Sequence, residues 1–319
     1  GCDMNVFIDT NLYLEFYRMG RDKLDELDKV FALHQYGRLK LWLPELLVNE
    51  FWRNRSKVLS ETIKEITKDY KPALPQIFRQ HEKHSQFNDK VIEAGRLKNE
   101  IITDIQKLFK EEALAADIVI KRIFDAASKI EADDETIDKG KLRFDLGNPP
   151  GKNKSYGDAV NWECLLKAIP DGEDIYIITE DGDYKSAFIK DDMNEYLKHE
   201  WKKKKNSEPH IYSRLSEFIG EHFPQASNLV EMEVNLTIDE LRHSGSFATT
   251  HRVVAKLLKL THFTQEQILK IIDIYFENDQ VGYIKDDDDV KLLARRLISL
   301  GDEDKDPEGM LETFRVFID

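Results

Sequence analysis

Acidic side chains follow two short apolar runs of this 319-residue chain. Residues 6–8 (VFI) end at Asp9, and residues 175–178 (IYII) are followed closely by Asp181 and Asp183. Carboxylates gathered in one place raise one another's pKa, and a divalent cation relieves the repulsion. Mg²⁺ and Mn²⁺ prefer oxygen ligands and keep bound waters, which suits hydrolysis of phosphodiester bonds.

Buried parallel strands must position these acids. A short apolar run that ends abruptly in polar residues is typical of such a strand, and residues 40–43 (KLWL) form another. Ligands of open α/β sheets bind at the carboxyl ends of the strands. Glu50 lies about one helical turn beyond the strand at 40–43, at about 1.5 Å per residue, so its carboxylate can reach the same edge as Asp9.

Simpler roles are open for several of these residues. Asp9 or Asn11 can cap the helix that follows the first strand, which is common at strand-to-helix junctions. Asp158 begins another amphipathic helix, where a favourable interaction with the helix dipole is worth about 0.3–1 kcal/mol. The placement of the acids decides between capping and catalysis.

Four segments together resemble the acidic motifs of PIN-domain ribonucleases. They are residues 7–11 (FIDTN), 49–51 (NEF), 156–159 (YGDA) and 178–184 (ITEDGDY). Their order and their positions at strand-to-helix junctions match the family. The resemblance covers residues 4 to about 223 and is closest to a bacterial PIN-like subgroup with large insertions and an added C-terminal region. The small toxin members lack such an insertion, so their antitoxin partner is not implied.

The resemblance implies an α/β fold with a parallel sheet flanked by helices, and a Mg²⁺- or Mn²⁺-dependent endonuclease that favours RNA over DNA. Toxic and phage-defence roles are open by family. The metal-binding and catalytic quartet would be Asp9, Glu50, Asp158 and Asp181, with Asp183 as a further metal ligand. Ligands and water would be oriented by Thr10, Asn11 and Thr179.

Cations close to these motifs in the sequence are candidates for phosphate contacts. They are Arg53, Arg55, Lys152 and Lys154. Lysine and arginine at a nuclease groove neutralise phosphates, and ordinary surface charge is the alternative for each of them. The basic run at 201–205 (WKKKK) is interpreted as a solvated loop.

We predict two domains, a PIN-like nuclease domain at 1–225 and a mostly helical C-terminal domain at 229–319. Helical periodicity predicts an insertion at about 56–140, with helices near 83–108 and 111–132. Another helix is predicted to carry residues 187–189 (AFI), and Thr264 to Gln267 form a capping box. The C-terminal domain is a candidate surface for a homo-oligomer or a partner protein.

Composition limits the function further. The net charge of −14 argues against a protein that coats nucleic acid by bulk attraction, although an enzyme with a local basic patch is compatible with it. No apolar run approaches the length of a membrane span. With only Cys2 and Cys164, a disulfide framework is excluded, and we expect a cytoplasmic protein.

Three other functions compete with a nuclease. A phosphotransferase of the haloacid dehalogenase type needs a second acid two residues after the first, where this chain has Asn11. A receiver domain needs paired acids just before its phosphorylated aspartate, and none precede Asp9 closely. A catalytically silent PIN-like scaffold that binds RNA or a partner protein remains the principal alternative. Hydrolysis measured with and without metal separates the scaffold from a nuclease.

Overall fold

A five-stranded parallel sheet forms the centre of the computed structural model, which describes residues 4–18, 22–68, 74–151 and 155–319. The strand order is β3-β2-β1-β4-β5. The strands are β1 (Asn5–Ile8), β2 (Lys40–Pro44), β3 (Ser128–Ile130), β4 (Ile175–Ile178) and β5 (Pro209–Tyr212). In the register, Val6 of β1 lies opposite Leu41 of β2 and Tyr176 of β4. The predicted parallel α/β fold is confirmed.

Strand β1 is central because three of its four residues are apolar and the polar one, Asn5, hydrogen-bonds to Trp42 and Glu173 inside the protein. All four of its residues are buried, as expected for a parallel strand covered by helices on both sides. The ladder continues one residue beyond it, where the Asp9 backbone NH donates to the carbonyl of Ile178 at 3.0 Å. Asp9 is therefore held rigidly at the carboxyl end of the middle strand.

Helices cover the sheet and make up most of the described chain outside it. Up to the end of the sheet region they are α1 (Thr10–Glu15), α2 (Leu24–Gln35), α3 (Glu45–Thr67), α4 (Gln76–Arg79), α5 (His84–Lys110), α6 (Ala115–Ala126), α7 (Asp134–Asp145), α8 (Gly157–Ala168), α9 (Glu195–Lys205) and α10 (Leu215–His222). The C-terminal helices are α11 (Ala226–Arg242), α12 (Phe247–Leu258), α13 (Gln265–Glu277), α14 (Asp279–Gly282), α15 (Asp288–Leu300) and α16 (Met310–Ile318). None of the helices in these described ranges is both long and apolar enough to cross a bilayer.

The predicted helical insertion is present but shorter than 56–140. In α5, all 27 residues of which are described, no side chain is buried, and Val58 is the last buried residue of α3. The end of the predicted range is wrong, because β3 pairs with β2 at the edge of the sheet and α6 packs on α2. Strand β3 has only three residues and one buried side chain, so it carries no alternation by which a strand is recognised.

Two further predictions between β4 and β5 are corrected. Residues 187–189 are described and form no helix, and Phe188 is 93% exposed. The run at 201–205 is the last part of α9 rather than a loop. Lysines suit the C-terminal end of a helix because they oppose the partial negative charge there. Lys205 is buried and donates to the Ile169 carbonyl at 2.7 Å.

A second apolar core lies within α11 to α16. The capping box predicted at Thr264 is confirmed, with reciprocal bonds to Gln267 at the start of α13. The two cores adjoin, since α11 packs on α2 and Thr261 donates to Asp28 at 2.6 Å. The predicted boundary between domains at 225–229 stays a prediction.

Candidate active site

The side chain of Asp9 is held by two hydrogen bonds, one from the end of the neighbouring strand β4 and one from the residue that follows Asp9. Asp9 is 2% exposed, and its Oδ2 accepts from Thr179 Oγ1 at 2.8 Å while its Oδ1 accepts from the Thr10 NH at 2.8 Å. Burial, with smaller contributions from Glu50 and Asp181, raises the pKa of Asp9 to about 6, against the lowering effect of the two hydrogen bonds. A buried carboxylate with so raised a pKa is a feature of functional sites.

Thr179 connects Asp9 to Asp181. Its hydroxyl donates to Asp9 and accepts from the Asp181 NH at 3.0 Å. Asp181 in turn caps a short 3₁₀ helix (Gly182–Tyr184) by accepting from the Asp183 NH at 2.9 Å. The end of β4 thus brings two aspartates towards Asp9.

Glu50 reaches the same edge from α3. It accepts a hydrogen bond from Thr10 Oγ1 at 3.3 Å. Burial is the main cause that raises the pKa of Glu50; Asp181 also raises it, whereas Thr10 and Arg53 lower it. A Cβ on Gly157 would lie 3.6 Å from Glu50 Oε2, so the first turn of α8 approaches this carboxylate closely.

Asp158 lies in that first turn of α8 and shows how strongly the acids influence one another. Its pKa is raised to about 8, first by burial and then by Asp9, Glu50, Asp181 and Asp183. We call these five residues the acid cluster. The other four all act on Asp158, and Glu50 and Asp181 also act on Asp9, so the cluster gathers at the carboxyl edge of the sheet.

The fit of this cluster to a divalent metal rests on the chemistry of its donors. All five are carboxylates, the hard oxygen ligands of Mg²⁺ and Mn²⁺, and their mutual repulsion is what a cation would relieve. In the described parts of the chain, no three acidic, histidine or cysteine side chains converge closely enough to form a finished metal site. The five acids fit the ion by the type of their donor atoms and by their common place at the carboxyl edge of the sheet.

The other predicted site residues are placed differently. Thr10 and Thr179 contact the acids, while Asn11 is exposed to solvent. Arg53 is exposed and close enough to Glu50 to lower its pKa. Lys152 and Lys154 lie outside the described residues.

The prediction that Arg55 contacts a phosphate is corrected by the structure. Arg55 is 4% exposed and pairs with the buried Asp117 of α6, with Nε and Nη2 donating at 2.6 and 2.5 Å. Its guanidinium also donates to the Phe109 carbonyl and lies 4.2 Å from the centre of the Phe109 ring. Arg55 therefore joins the insertion to the core and is not available to a phosphate.

Sequence reasoning missed the residues that position the third motif. The NH of Gly151 donates to Asp183 Oδ2 at 3.3 Å. Arg143 of α7 is buried and donates to the Pro149 carbonyl at 2.8 Å, while the same guanidinium pairs with Glu163 and Glu200. The only signal for these contacts was a glycine- and proline-rich segment before Asp158.

Two buried side chains near the acids carry polar atoms that find no hydrogen-bond partner among the described residues. They are the amide of Asn161, one turn after Asp158, and the hydroxyl of Tyr184. Burial, followed by Asp158 and Asp9, raises the pKa of Tyr184 well above its usual range, so the hydroxyl stays neutral. Neither residue was singled out from the sequence.

Comparison with known proteins gives one clear relationship. The family model described as PIN domain matches residues 6–184, more than half of the chain, and this span includes the whole acid cluster. No curated protein and no solved structure gives a significant match. The matched span, the parallel sheet and the acids at its carboxyl edge agree, and the chain belongs to the PIN domain family.

Proposed function

We propose that this protein is a divalent-metal-dependent endonuclease that cleaves RNA in preference to DNA. PIN domains are generally nucleases, and the observation that supports activity here is the acid cluster itself. Burial, followed by the four other carboxyl groups of the cluster, raises the pKa of Asp158 to about 8. Holding so many acids together disfavours the metal-free fold, which is understandable if the cluster binds cations.

Each residue of the cluster has a role in this proposal. Asp9, Glu50, Asp158 and Asp181 would hold the metal, and Asp183 would be a further ligand. When bound, the metal would supply an activated water and stabilise charge on the phosphodiester. Thr10 and Thr179 keep Asp9 in a single orientation through the hydrogen bonds at 2.8 Å.

The preference for RNA rests on the motifs, which resemble those of ribonucleases. Asn11 and Arg53 are exposed beside the cluster and are available to substrate or water. Arg53 would contact a phosphate, and Lys152 and Lys154 remain candidates for the same role. A toxic or phage-defence role would follow from cleavage of cellular or phage RNA.

Cleavage assays with a matched acid control test the proposal. Purified protein is incubated with labelled RNA and DNA in Mn²⁺, Mg²⁺ or EDTA, beside the variants Asp9→Asn and Asp138→Asn. Asp138 is an exposed acid on α7, so its substitution removes the same charge outside the cluster. We expect metal-dependent cleavage that Asp9→Asn reduces by more than the roughly 10–100-fold cost of losing an outer partner of a metal site.

The outcomes separate a nuclease from a silent scaffold. Asp138→Asn is expected to cleave at the rate of the parent protein, and circular dichroism checks that Asp9→Asn is folded. RNA cleavage that continues in EDTA, or that Asp9→Asn leaves unchanged, contradicts the proposal. Binding of RNA without cleavage under any metal condition supports the scaffold.

A further inference from the structure

A cleft lies beside the acid cluster, where β4 and β5 end. Its volume of about 560 Å³ falls in the range of ligand-binding sites. The cleft, which we call the β5 cleft, is lined by Glu180, Lys185, Lys190, Asp191, Ile211, Tyr212, Ser213, Arg214 and Glu217. Glu180 directly precedes Asp181 in the chain, and neighbouring Cα atoms are about 3.8 Å apart, so the cleft adjoins the cluster.

Charge is distributed unevenly between the inner lining and the rim. Lys185 and Arg214 are half-buried, together with the uncharged residues of the lining. The three acids of this described lining, Glu180, Asp191 and Glu217, are all exposed at the rim, where water and salt screen them. An anion that enters the cleft therefore meets two half-buried cations, of which Arg214 also pairs with the half-buried Asp22 from outside the lining.

The inner residues offer hydrogen-bond donors. Lys185 Nζ donates to Ser213 Oγ at 2.6 Å, which leaves the hydroxyl hydrogen of Ser213 available to donate to a ligand. Arg214 Nε is buried and has no hydrogen-bond partner among the described residues, although such donors are nearly always satisfied in folded proteins. Arg214 Nη2 lies 3.6 Å from Asp22 Oδ1, so one end of the guanidinium is held in place.

We propose that the β5 cleft binds a phosphate of the nucleic-acid strand adjacent to the phosphodiester at the acid cluster, with Lys185, Ser213 and Arg214 as donors. The inference rests on the proposed function, because it takes a polynucleotide as the ligand. Arginine, lysine and serine commonly contact phosphate oxygens, and such contacts fix the position of a strand without reading its bases. The strand would run from the acid cluster across the ends of β4 and β5.

A charge-matched pair of double variants tests this in the full-length protein. Lys185→Gln/Arg214→Gln removes the two cations of the cleft. Arg242→Gln/Lys270→Gln removes one arginine and one lysine from a different surface pocket of about 500 Å³, on α11 and α13. The net charge changes equally in both, so a bulk electrostatic effect would appear in both.

Binding is measured by fluorescence anisotropy in EDTA, with a labelled 12-nucleotide single-stranded RNA and the DNA of the same sequence, from 50 to 200 mM salt. For the cleft variant we expect affinity about tenfold weaker or more, and a slope of log affinity against log salt smaller by about 0.7, the value for one phosphate of a single strand. The Arg242→Gln/Lys270→Gln protein is expected to stay within about twofold of the parent. Ser213→Ala keeps both charges and should weaken binding about threefold, which guards against misfolding of the double variant.

Competition identifies the source of the phosphate. Inorganic phosphate and adenosine 5′-monophosphate should displace the labelled RNA far less effectively than the unlabelled 12-mer. Displacement by inorganic phosphate at equal concentration would make the cleft a site for free phosphate and overturn the proposal. Failure of the parent protein to bind either oligonucleotide, or equal affinities of the two double variants, would overturn it as well.

Failure of this inference is distinguishable from failure of the proposed function. If the protein binds RNA through the cleft but never cleaves it, the cleft is supported as a phosphate site and the proposed nuclease activity is refuted. If the protein cleaves in Mn²⁺ but Lys185→Gln/Arg214→Gln leaves KM and affinity unchanged, the nuclease activity is supported and the phosphate site in the cleft is refuted. Because these are positioning residues, the expected effect in Mn²⁺ is a raised KM with kcat within about twofold of the parent.

Discussion

Replacing Asp158 by asparagine should stabilise the metal-free protein and weaken its response to metal. The substitution keeps the shape of the side chain and removes a carboxyl group whose ionisation is disfavoured by burial and by four neighbouring acids. The same carboxyl group would be a metal ligand under the proposed function. Stability without metal and stability with metal are therefore expected to move in opposite directions.

The structure sets the size and the sign of the effect. The pKa of Asp158 is raised from 3.8 to about 8 in the fold, so unfolding releases the carboxyl group to ionise freely at neutral pH. At about 1.4 kcal/mol per pH unit, this disfavours the fold by at most about 4 kcal/mol at pH 7. The destabilisation develops between pH 4 and pH 8 and vanishes below the unfolded pKa. Relaxation of the coupled acids reduces it, and we expect a gain of about 1–3 kcal/mol for Asp158→Asn near pH 8.

Urea unfolding in EDTA at pH 5 and pH 8 measures the effect, with Asp138→Asn as the control for an exposed acid. Asp158→Asn should exceed the parent protein in free energy of unfolding at pH 8, and by clearly less at pH 5. Millimolar Mn²⁺ should raise the Tm of the parent, because a ligand that binds only the folded state stabilises it. The rise should be smaller for Asp158→Asn.

The reasoning is refuted if Asp158→Asn is no more stable than the parent at pH 8 in EDTA. It is also refuted if the advantage is the same at both pH values, since a pH-independent gain would come from packing. An equal rise of Tm with Mn²⁺ in both proteins would show that Asp158 is not a ligand of the metal.

Three other predictions concern packing and position. Thr179→Val removes the hydroxyl that joins Asp9 to Asp181. Steady-state kinetics should show the metal-dependent cleavage rate lowered about 10–100-fold with KM little changed, and an unchanged rate would contradict a positioning role for Thr179. Gly140→Ala places a Cβ against the side chain of Val160 and 2.8 Å from its Cα, between α7 and α8, and should lower the free energy of unfolding by about 1–3 kcal/mol. Gly220→Ala in α10, which has open space around it, should be neutral or stabilising, and equal effects of the two substitutions would refute the close approach of α7 to α8. Arg55→Ala should destabilise the fold by about 3–5 kcal/mol because it leaves Asp117 buried without its cation, while RNA affinity per folded molecule stays constant. A stable variant with weakened RNA binding would show instead that Arg55 contacts the nucleic acid.

Several features of the fold were predictable because they depend on short stretches of sequence. The apolar runs at 6–8 in β1 and 175–178 in β4 are followed by polar residues. Such a run identifies a buried parallel strand, and it places Asp9 and Asp181 at the carboxyl ends of these two strands. The capping box at Thr264 and the start of α8 beside Asp158 are similarly local. Strand β3 was not predictable, since its three residues are extended only because β2 supplies a partner.

The sequence by itself determined which acids end the strands, and the tertiary structure decided what surrounds them. The hydroxyl that fixes Asp9 comes from Thr179, 170 residues away. Burial raises the pKa of Asp158, and so do four acids that come from three separate segments of the chain. Arg55 has the sequence position of a groove cation, yet pairing with Asp117 buries it. Periodicity and capping are set by neighbours within a few residues, whereas burial and electrostatic coupling depend on which distant elements pack together.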